Sequence, residues 1–211
     1  ATRREIEFCR KVLEQLRGIE LAELERANQV DHALLEYELQ ATIWRLETLT
    51  AWTWNPLTYT ELCGSAIYNL MARDFAPLPK RLGHVADRLE QFPRLFRQIR
   101  ATLIPVRVPT IHDETAVKQN PGVLSILDNQ VRPHLDQLAD DQRERLAQAM
   151  SMAEAEVEKH QQWLETELLP NARGDFRLGQ KLFDQKLAYT LKTALSRTQV
   201  RKRAERELIR V

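Results

Sequence analysis

The residues that could hold a metal ion are scattered along this chain. The five histidines are His32, His84, His112, His134 and His160. Protein zinc sites often place two imidazoles on one helical face through a His-Glu-x-x-His spacing, and no two histidines here have it. Glu156 precedes His160 by one helical turn, but such pairs are also ordinary hydrogen bonds and no further ligand accompanies this one. We therefore expect no metal site and no cofactor within this chain.

Nucleophile and phosphate patterns are missing as well. Gly122, Gly174 and Gly179 are isolated, so they form no glycine-rich phosphate loop, and no serine stands in a Gly-x-Ser-x-Gly elbow. Cys9 and Cys63 are far apart and form no Cys-x-x-Cys pair. We expect both thiols to be buried as small apolar groups. The sequence thus contains no complete catalytic motif.

A polar run follows a proline-rich turn near the middle of the chain. Thr110 with Asp113 and Glu114 resembles an N-terminal helix cap, in which the hydroxyl accepts from the third amide and an acid favours the positive helix end. We favour this capping interpretation. The alternative is that Glu114 lies in a cleft, because loops after such turns often expose functional groups.

The aromatic and basic segments have ordinary explanations. Trp44, Trp52, Trp54 and Tyr59 could stack on a ligand, but we predict that they seal a core. The basic stretch 197–210 is interrupted by glutamates, which favours a solvated helix face. Lys plus Arg (31) nearly balance Asp plus Glu (30), so we expect neither nucleic acid nor a membrane as a partner.

Apolar residues recur at three- and four-residue spacing along most of the chain, which predicts amphipathic helices. From about Val30 they occupy two sides of one helix, which predicts that this helix is buried centrally. No alternating run is long enough to predict a strand. The predicted fold class is all-α, a multi-helix array of antiparallel amphipathic helices with no significant sheet.

Prolines and capping residues mark the expected boundaries. Asn55-Pro56 should begin a helix, Pro93 should restart one, and Asn120-Pro121-Gly122 should interrupt another. We expect 105–109 to be extended, because residues before proline avoid the helical region. Ser196 with Gln199 resembles a capping box.

The chain as a whole is expected to form one helical domain or lobe over residues 1–211, with a sub-boundary conceivable at 105–109. No apolar run approaches the length of a membrane span, and no export signal is visible. A cytoplasmic location is the default expectation. Export stays open, because the chain starts without Met and ends within a charged run, as expected of a fragment of a longer protein.

Four short motifs occur in an order that resembles one family. They are Asn55-Pro56-Leu57-Thr58-Tyr59, Ala72-Arg73-Asp74-Phe75-Ala76-Pro77, Glu114-Thr115-Ala116 and Gly174-Asp175-Phe176-Arg177-Leu178-Gly179. Together they resemble the N-terminal half of the bacterial "domain of unknown function 885" family, over most of the chain from about Asp31 onward.

That family is similar to helical zincin-like metallopeptidases such as thimet oligopeptidase and the Taq-type carboxypeptidases. Its zinc motif, of the His-Glu-x-x-x-Gly-His-His kind, lies in the C-terminal half, and no position here matches it. The resemblance implies a non-catalytic helical wall of a substrate channel. Zinc, a peptide substrate and the remainder of the parent chain would belong to the complete protein.

Residues in or beside irregular segments are the candidates for lining that channel. They are Tyr59, Arg107, His112, Glu114, Asp175 and Tyr189. Arg107 could hold a peptide carboxylate through a two-pronged hydrogen-bonded pair. Arg73, Asp74 and Asp175 have a competing interpretation, in which they cap or brace helices.

The alternative to a peptidase wall is a helical interaction or scaffold module without enzymatic activity. Its broad apolar faces would dock onto another protein or onto a second copy of the chain as a homodimer.

Overall fold

The computed structural model describes residues 2–210, and its elements are helical. The α-helices are α1 (Thr2–Arg17), α2 (Arg26–Trp44), α3 (Leu57–Met71), α4 (Leu78–Leu89), α5 (Phe92–Thr102), α6 (Thr110–Gln119), α7 (Pro121–Ile126), α8 (Asp140–Trp163), α9 (Gly179–Leu191) and α10 (Arg197–Arg210). Over the described residues the only extended pairing is a single parallel bridge between Pro109 and Gly174. The predicted all-α, multi-helix fold is confirmed.

Backbone contacts divide the chain into two compact units. Unit 1 combines the residues up to Thr50 with those from Phe176 onward, and unit 2 is Ala51–Asp175. The proline-rich segment 105–109, where a sub-boundary was conceivable, lies inside unit 2. The single lobe over 1–211 stays a prediction, and its first and last residues lie outside the described part.

Unit 2 contains the larger core, and α8 runs along it. Its largest fully buried side chains are Phe92, Phe96, Ile67, Leu82, Leu89, Ile99, Leu127, Leu146, Met150, Leu164, Leu168 and Val85. They come from the apolar stripes of α3, α4, α5 and α8 and from the turns that follow α7 and α8. Burying an aliphatic or aromatic side chain of this size stabilises a fold by about 1.5–3 kcal/mol, so unit 2 is held together chiefly by this cluster.

Unit 1 has a smaller core, formed where α1 packs on α2. Cys9, Leu13 and Leu16 of α1 meet Leu39 of α2, and all four are buried. The prediction that α2 is buried centrally is wrong for this structure, because Leu34 and Leu35 remain 46% and 45% exposed. Unit 1 packs α1 against one face of α2 and leaves Leu34 and Leu35 at the surface.

Several predicted boundaries are confirmed. Pro93 lies in the first turn of α5, and α6 ends at Gln119 before the Pro121 break. The capping box also forms: the Gln199 amide donates to Ser196 Oγ at 3.3 Å, and the Ser196 amide donates to Gln199 Oε1 at 2.8 Å. Cys9 and Cys63 are both buried free thiols, as expected.

The start of α6 differs from the prediction. Pro109 precedes α6 without any side-chain cap, and the Thr110 hydroxyl donates instead to the Ala172 carbonyl at 3.2 Å. Asp113 is fully buried, so it cannot serve as an exposed capping acid. The 105–109 segment is only partly extended: Ile104 and Val108 are extended before their prolines, while Pro105–Arg107 forms a 3₁₀ turn.

The motif at 72–77 is folded around an arginine that the sequence analysis did not single out. Arg81 of α4 is buried, and its guanidinium donates to the carbonyls of Leu70, Met71, Arg73 and Ala76 at 3.0–3.3 Å. It also pairs with Asp74 at 2.8 Å. Arg81 thereby satisfies carbonyls at the end of α3, which no helical amide can reach. The bracing role considered for Asp74 is confirmed.

The four aromatic residues do not form one core cluster. Trp44 belongs to unit 1, whereas Trp52, Trp54 and Tyr59 belong to unit 2, and all four are half-buried.

None of the helices between residues 2 and 210 has the length and apolar character needed to cross a lipid bilayer.

Candidate functional site

The segments that lead into three of the four motifs meet at one place in unit 2, which we call the motif junction: Trp54, residues 104–113 and residues 172–174. The Gly174 amide donates to the Val108 carbonyl at 2.9 Å, beside the Pro109–Gly174 bridge. The Thr110 hydroxyl ties the start of α6 to Ala172. The segment that leads into the fourth motif is thus held against the segment that leads into the third.

The first motif enters the junction through the turn before α3. The Ile104 amide donates to the Thr53 carbonyl at 2.8 Å, and the Trp54 ring stacks on the His112 ring with centroids 5.7 Å apart. Tyr59 supports this turn, since its hydroxyl donates to the Trp52 carbonyl at 2.6 Å. Segments separated by many tens of residues therefore share one surface.

Gly174 is required at the junction by close backbone approach. A Cβ built on Gly174 would lie 2.0 Å from the Arg107 carbonyl oxygen, and backbone atoms cannot swing away as a flexible side chain can. We expect Gly174→Ala to destabilise the protein by about 1–3 kcal/mol, as overpacking typically does. Urea unfolding followed by circular dichroism measures this, with Gly122→Ala as control because nothing lies within 4 Å of a Cβ there. Equal stability of both variants would show that the junction is not close-packed.

A buried carboxyl lies directly behind this surface. Asp113 is 0% exposed, and neither carboxylate oxygen has a hydrogen-bond partner among the described residues. Burial raises the pKa of Asp113 from 3.8 to about 7, because removing water disfavours the charged form. Burial also lowers the pKa of the neighbouring His112. Both groups are therefore biased towards their neutral forms, and Asp113 is shielded from any ligand that approaches from solvent.

The residues predicted to line a channel lie at different places in the structure. Arg107 and His112 lie at the motif junction, and Tyr59 supports it from the first turn of α3. Glu114 is exposed on α6 and makes no hydrogen bond or ion pair among the described residues. Asp175 is exposed and follows Gly174 directly. The junction therefore brings together Arg107 and His112, with Tyr59 and Asp175 at its borders.

Tyr189 belongs to a different place, the aromatic cluster of unit 1. Its ring lies 5.3 Å from that of Trp44 and 5.5 Å from that of Tyr37, measured between centroids. Both of these ring partners belong to unit 1, as Tyr189 itself does. Sequence spacing could not separate Tyr189 from the other candidates, because unit 1 is assembled from both ends of the chain.

The surface of the junction combines a cation with apolar groups. Arg107 is exposed, and Val106 and Ile111 on either side of it are 64% and 56% exposed. A guanidinium can bind a carboxylate through two parallel hydrogen bonds, and exposed apolar side chains can bury part of a ligand. The arrangement can thus hold a molecule that carries both a carboxylate and apolar groups, such as a peptide end.

A second buried polar cluster in unit 2 joins α5 to α8. Arg100 pairs with Glu156 at 3.2 Å, and His160 lies between the rings of Phe96 and Trp163. Burial and the nearby Arg100 lower the pKa of His160 to about 4. His160 is thus a neutral core histidine, and Glu156 binds an arginine instead of serving as a metal ligand. Among residues 2–210, no group of three or more His, Cys, Asp or Glu side chains could hold a metal ion.

The sequence of the whole chain matches a protein family. A model described as bacterial protein of unknown function (DUF885) matches residues 1–211. The chain belongs to the DUF885 family. The match covers the chain from its first residue, so it extends beyond the resemblance expected from about Asp31 onward.

The fold is shared with a protein of solved structure. A candidate lipoprotein of unknown function from Shewanella oneidensis superposes with a TM-score of 0.88 at 23% identity. The match covers 99% of this chain and 38% of that protein. No curated protein matches the chain. This DUF885 chain therefore shares its fold with little more than a third of a longer relative.

Proposed function

We propose that this DUF885 chain forms one wall of the substrate channel of a zinc-dependent peptidase. The metal would be held by a different part of a longer protein. Membership of the DUF885 family supports the proposal, because the resemblance described in the sequence analysis relates that family to zincin-like metallopeptidases, and so does a longer relative of which this chain spans 38%. A zinc-bound water needs a shielded cavity as well as ligands, and an opposing wall supplies shape and substrate contacts.

The observation that carries the proposal is the motif junction. The segments that precede three motifs converge there, and Val106, Arg107 and Ile111 are exposed on one of them. This composition suits a peptide carboxylate with a neighbouring apolar side chain, and Arg107 would position the substrate without taking part in bond cleavage.

The test uses the longer protein that contains this chain. We expect one zinc per polypeptide by elemental analysis and hydrolysis of peptides from a mixed library, followed by mass spectrometry. A chelator should abolish hydrolysis, and added zinc should restore it. Arg107→Ala should raise KM about tenfold with little change in kcat, because a lost binding contact of about 1.4 kcal/mol weakens ground state and transition state alike. Arg97→Ala, an exposed arginine on α5, is the matched control.

Two results would overturn this proposal. A longer protein without bound zinc that hydrolyses no peptide in the library would remove the peptidase assignment. Hydrolysis with equal KM for Arg107→Ala, Arg97→Ala and the parent protein would keep the enzyme but reject the junction as its substrate wall.

A second candidate function, the helical interaction module, is favoured by α10. This helix has no buried residue, and Leu208 and Ile209 are 81% and 87% exposed. Large exposed apolar side chains often mark a protein-binding surface. For a homodimer of the DUF885 chain, sedimentation should show a concentration-dependent dimer, which Leu208→Glu should dissociate. A monomer at all concentrations would reject self-association.

A further inference from the structure

A cleft of about 350 Å³ opens in unit 1 between the end of α2 and the end of α9. Its lining residues are Glu38, Ala41, Trp44, Arg45, Leu49, Lys186, Tyr189, Thr190 and Lys192. This volume falls in the range of about 300–1,000 Å³ that is common for small-molecule sites. Two of the lining residues appear in the sequence analysis, where Trp44 was predicted to seal a core and Tyr189 to line a peptide channel.

One side of the cleft is an aromatic surface whose geometry is fixed by hydrogen bonds. The Trp44 and Tyr189 rings are tilted by 38°, and Tyr37 meets Tyr189 edge-on behind them. The Trp44 indole N–H donates to Gln185 Oε1 at 3.1 Å, and the Tyr37 hydroxyl donates to the Ala188 carbonyl. Trp44 and Tyr189 are therefore held as a preformed apolar face, suited to a flat ring or an aliphatic chain.

The other side carries an excess of positive charge. Arg45 and Lys192 share one carboxylate, Glu38, at 3.6 Å and 3.3 Å. Lys186 has no hydrogen-bond or ion-pair partner among residues 2–210. Three cations thus face one anion.

The helix ends at the cleft account for part of this excess. Arg45 begins a π-helical turn, Arg45–Leu49, that continues α2 and ends at the cleft, and Lys192 follows α9 in a left-handed conformation with φ 48°. The C-terminal end of a helix carries partial negative charge, which Arg45 and Lys192 offset together with Glu38. Lys186 lies within α9 and is exposed, so its ammonium group is accessible to a ligand in the cleft. A ligand with a single negative charge would complement the Lys186 ammonium.

We propose that this cleft binds a small monocarboxylate with an aromatic or aliphatic body. The body would lie on Trp44 and Tyr189, and the carboxylate would pair with the Lys186 ammonium. A dianion is disfavoured because both helices present their C-terminal ends to the cleft. This site goes beyond the peptidase proposal, since all its residues belong to unit 1 and none to the motif junction.

The probe pair for the test is 2-naphthoate and its uncharged amide, 2-naphthamide, titrated into the 211-residue chain by calorimetry. We expect saturable one-to-one binding of the naphthoate and weaker binding of the amide. Lys186→Gln should weaken naphthoate binding about twofold to fivefold, as expected for an exposed ion pair, and leave amide binding unchanged. Lys181→Gln, on the same helix but outside the cleft, should leave both affinities unchanged.

Three outcomes would overturn the proposal. These are no saturable binding of naphthoate, equal affinity for the acid and the amide, and equal weakening by Lys186→Gln and Lys181→Gln. Both lysines are exposed, so the variants should remain folded, and circular dichroism checks this. Failure here leaves the peptidase proposal unaffected, because that proposal is measured through zinc and Arg107.

Discussion

Arg81→Ala is expected to lower the free energy of unfolding by about 3–5 kcal/mol, because several buried or partly buried carbonyls would lose the charged donor that satisfies them. The guanidinium binds four carbonyls and the Asp74 carboxylate. Asp74 is 94% exposed and can be solvated by water, so most of the loss should come from the carbonyls. Urea unfolding followed by far-ultraviolet circular dichroism measures the change.

Two further variants test whether the loss of stability comes from the carbonyl hydrogen bonds or from the charge. Arg81→Lys keeps the charge but cannot reach four carbonyls in a fixed planar arrangement, so it should recover only a minor part of the lost stability. Lys80→Ala changes an exposed cation on the same turn of α4 and should alter stability by no more than about 0.5 kcal/mol. Full recovery by lysine would mean that charge alone matters and that the carbonyl network contributes little.

Asp113→Asn is expected to remove a decline in stability with rising pH. Asp113 has a folded-state pKa of about 7 and an ordinary value of 3.8. Between those values the folded protein holds a proton that the unfolded chain has released, so stability falls as the pH rises from about 4 to about 7. At about 1.4 kcal/mol per pH unit over about three units, the full penalty above pH 7 is about 4 kcal/mol. Asparagine has a similar shape and cannot ionise.

The measurement is the free energy of unfolding in urea at several values between pH 4 and pH 8. The Asn variant should be more stable than the parent at pH 8, and the difference should shrink towards pH 4. Asp141→Asn replaces an exposed carboxylate and should keep the slope of the parent protein. Parallel pH curves for parent and Asp113→Asn would show that the buried carboxyl has an ordinary pKa.

His160 changes the pH dependence of stability in the opposite direction, so its contribution must be separated from that of Asp113. Its pKa is lowered from 6.5 to about 4, so the unfolded chain binds the extra proton and stability is lost as the pH falls from about 6.5 to about 4. The two groups partly cancel in the parent protein over that interval. Asp113→Asn should therefore expose the His160 dependence as a rise in stability with pH.

The fold was predictable because its signals are local. Apolar periodicity indicated the helices, Pro93 and Pro121 marked two of their boundaries, and Ser196 with Gln199 predicted the capping box of α10. Each of these effects acts within one or two helical turns, so spacing alone is informative. The central burial of α2 was not predictable, because burial depends on which elements come to lie against a helix.

The candidate site was predictable only in part. Arg107 and His112 were chosen for their position beside an irregular segment, and both lie at the motif junction. Thr110 and Asp113 were assigned to a helix cap, yet one binds Ala172 and the other is buried. Arg81 gave no signal, because an arginine on a helix is usually solvated and its carbonyl partners become visible only in three dimensions.

The sequence by itself determined that this chain is helical, where most of its helices begin and end, and that no complete catalytic motif is present. Those properties depend on residues close together along the chain. Only the tertiary structure decided that Gly174 meets Arg107, that Arg81 binds the end of α3, and that Tyr189 joins Trp44 in a separate cleft. These contacts join residues far apart along the chain, and it is packing that brings them together.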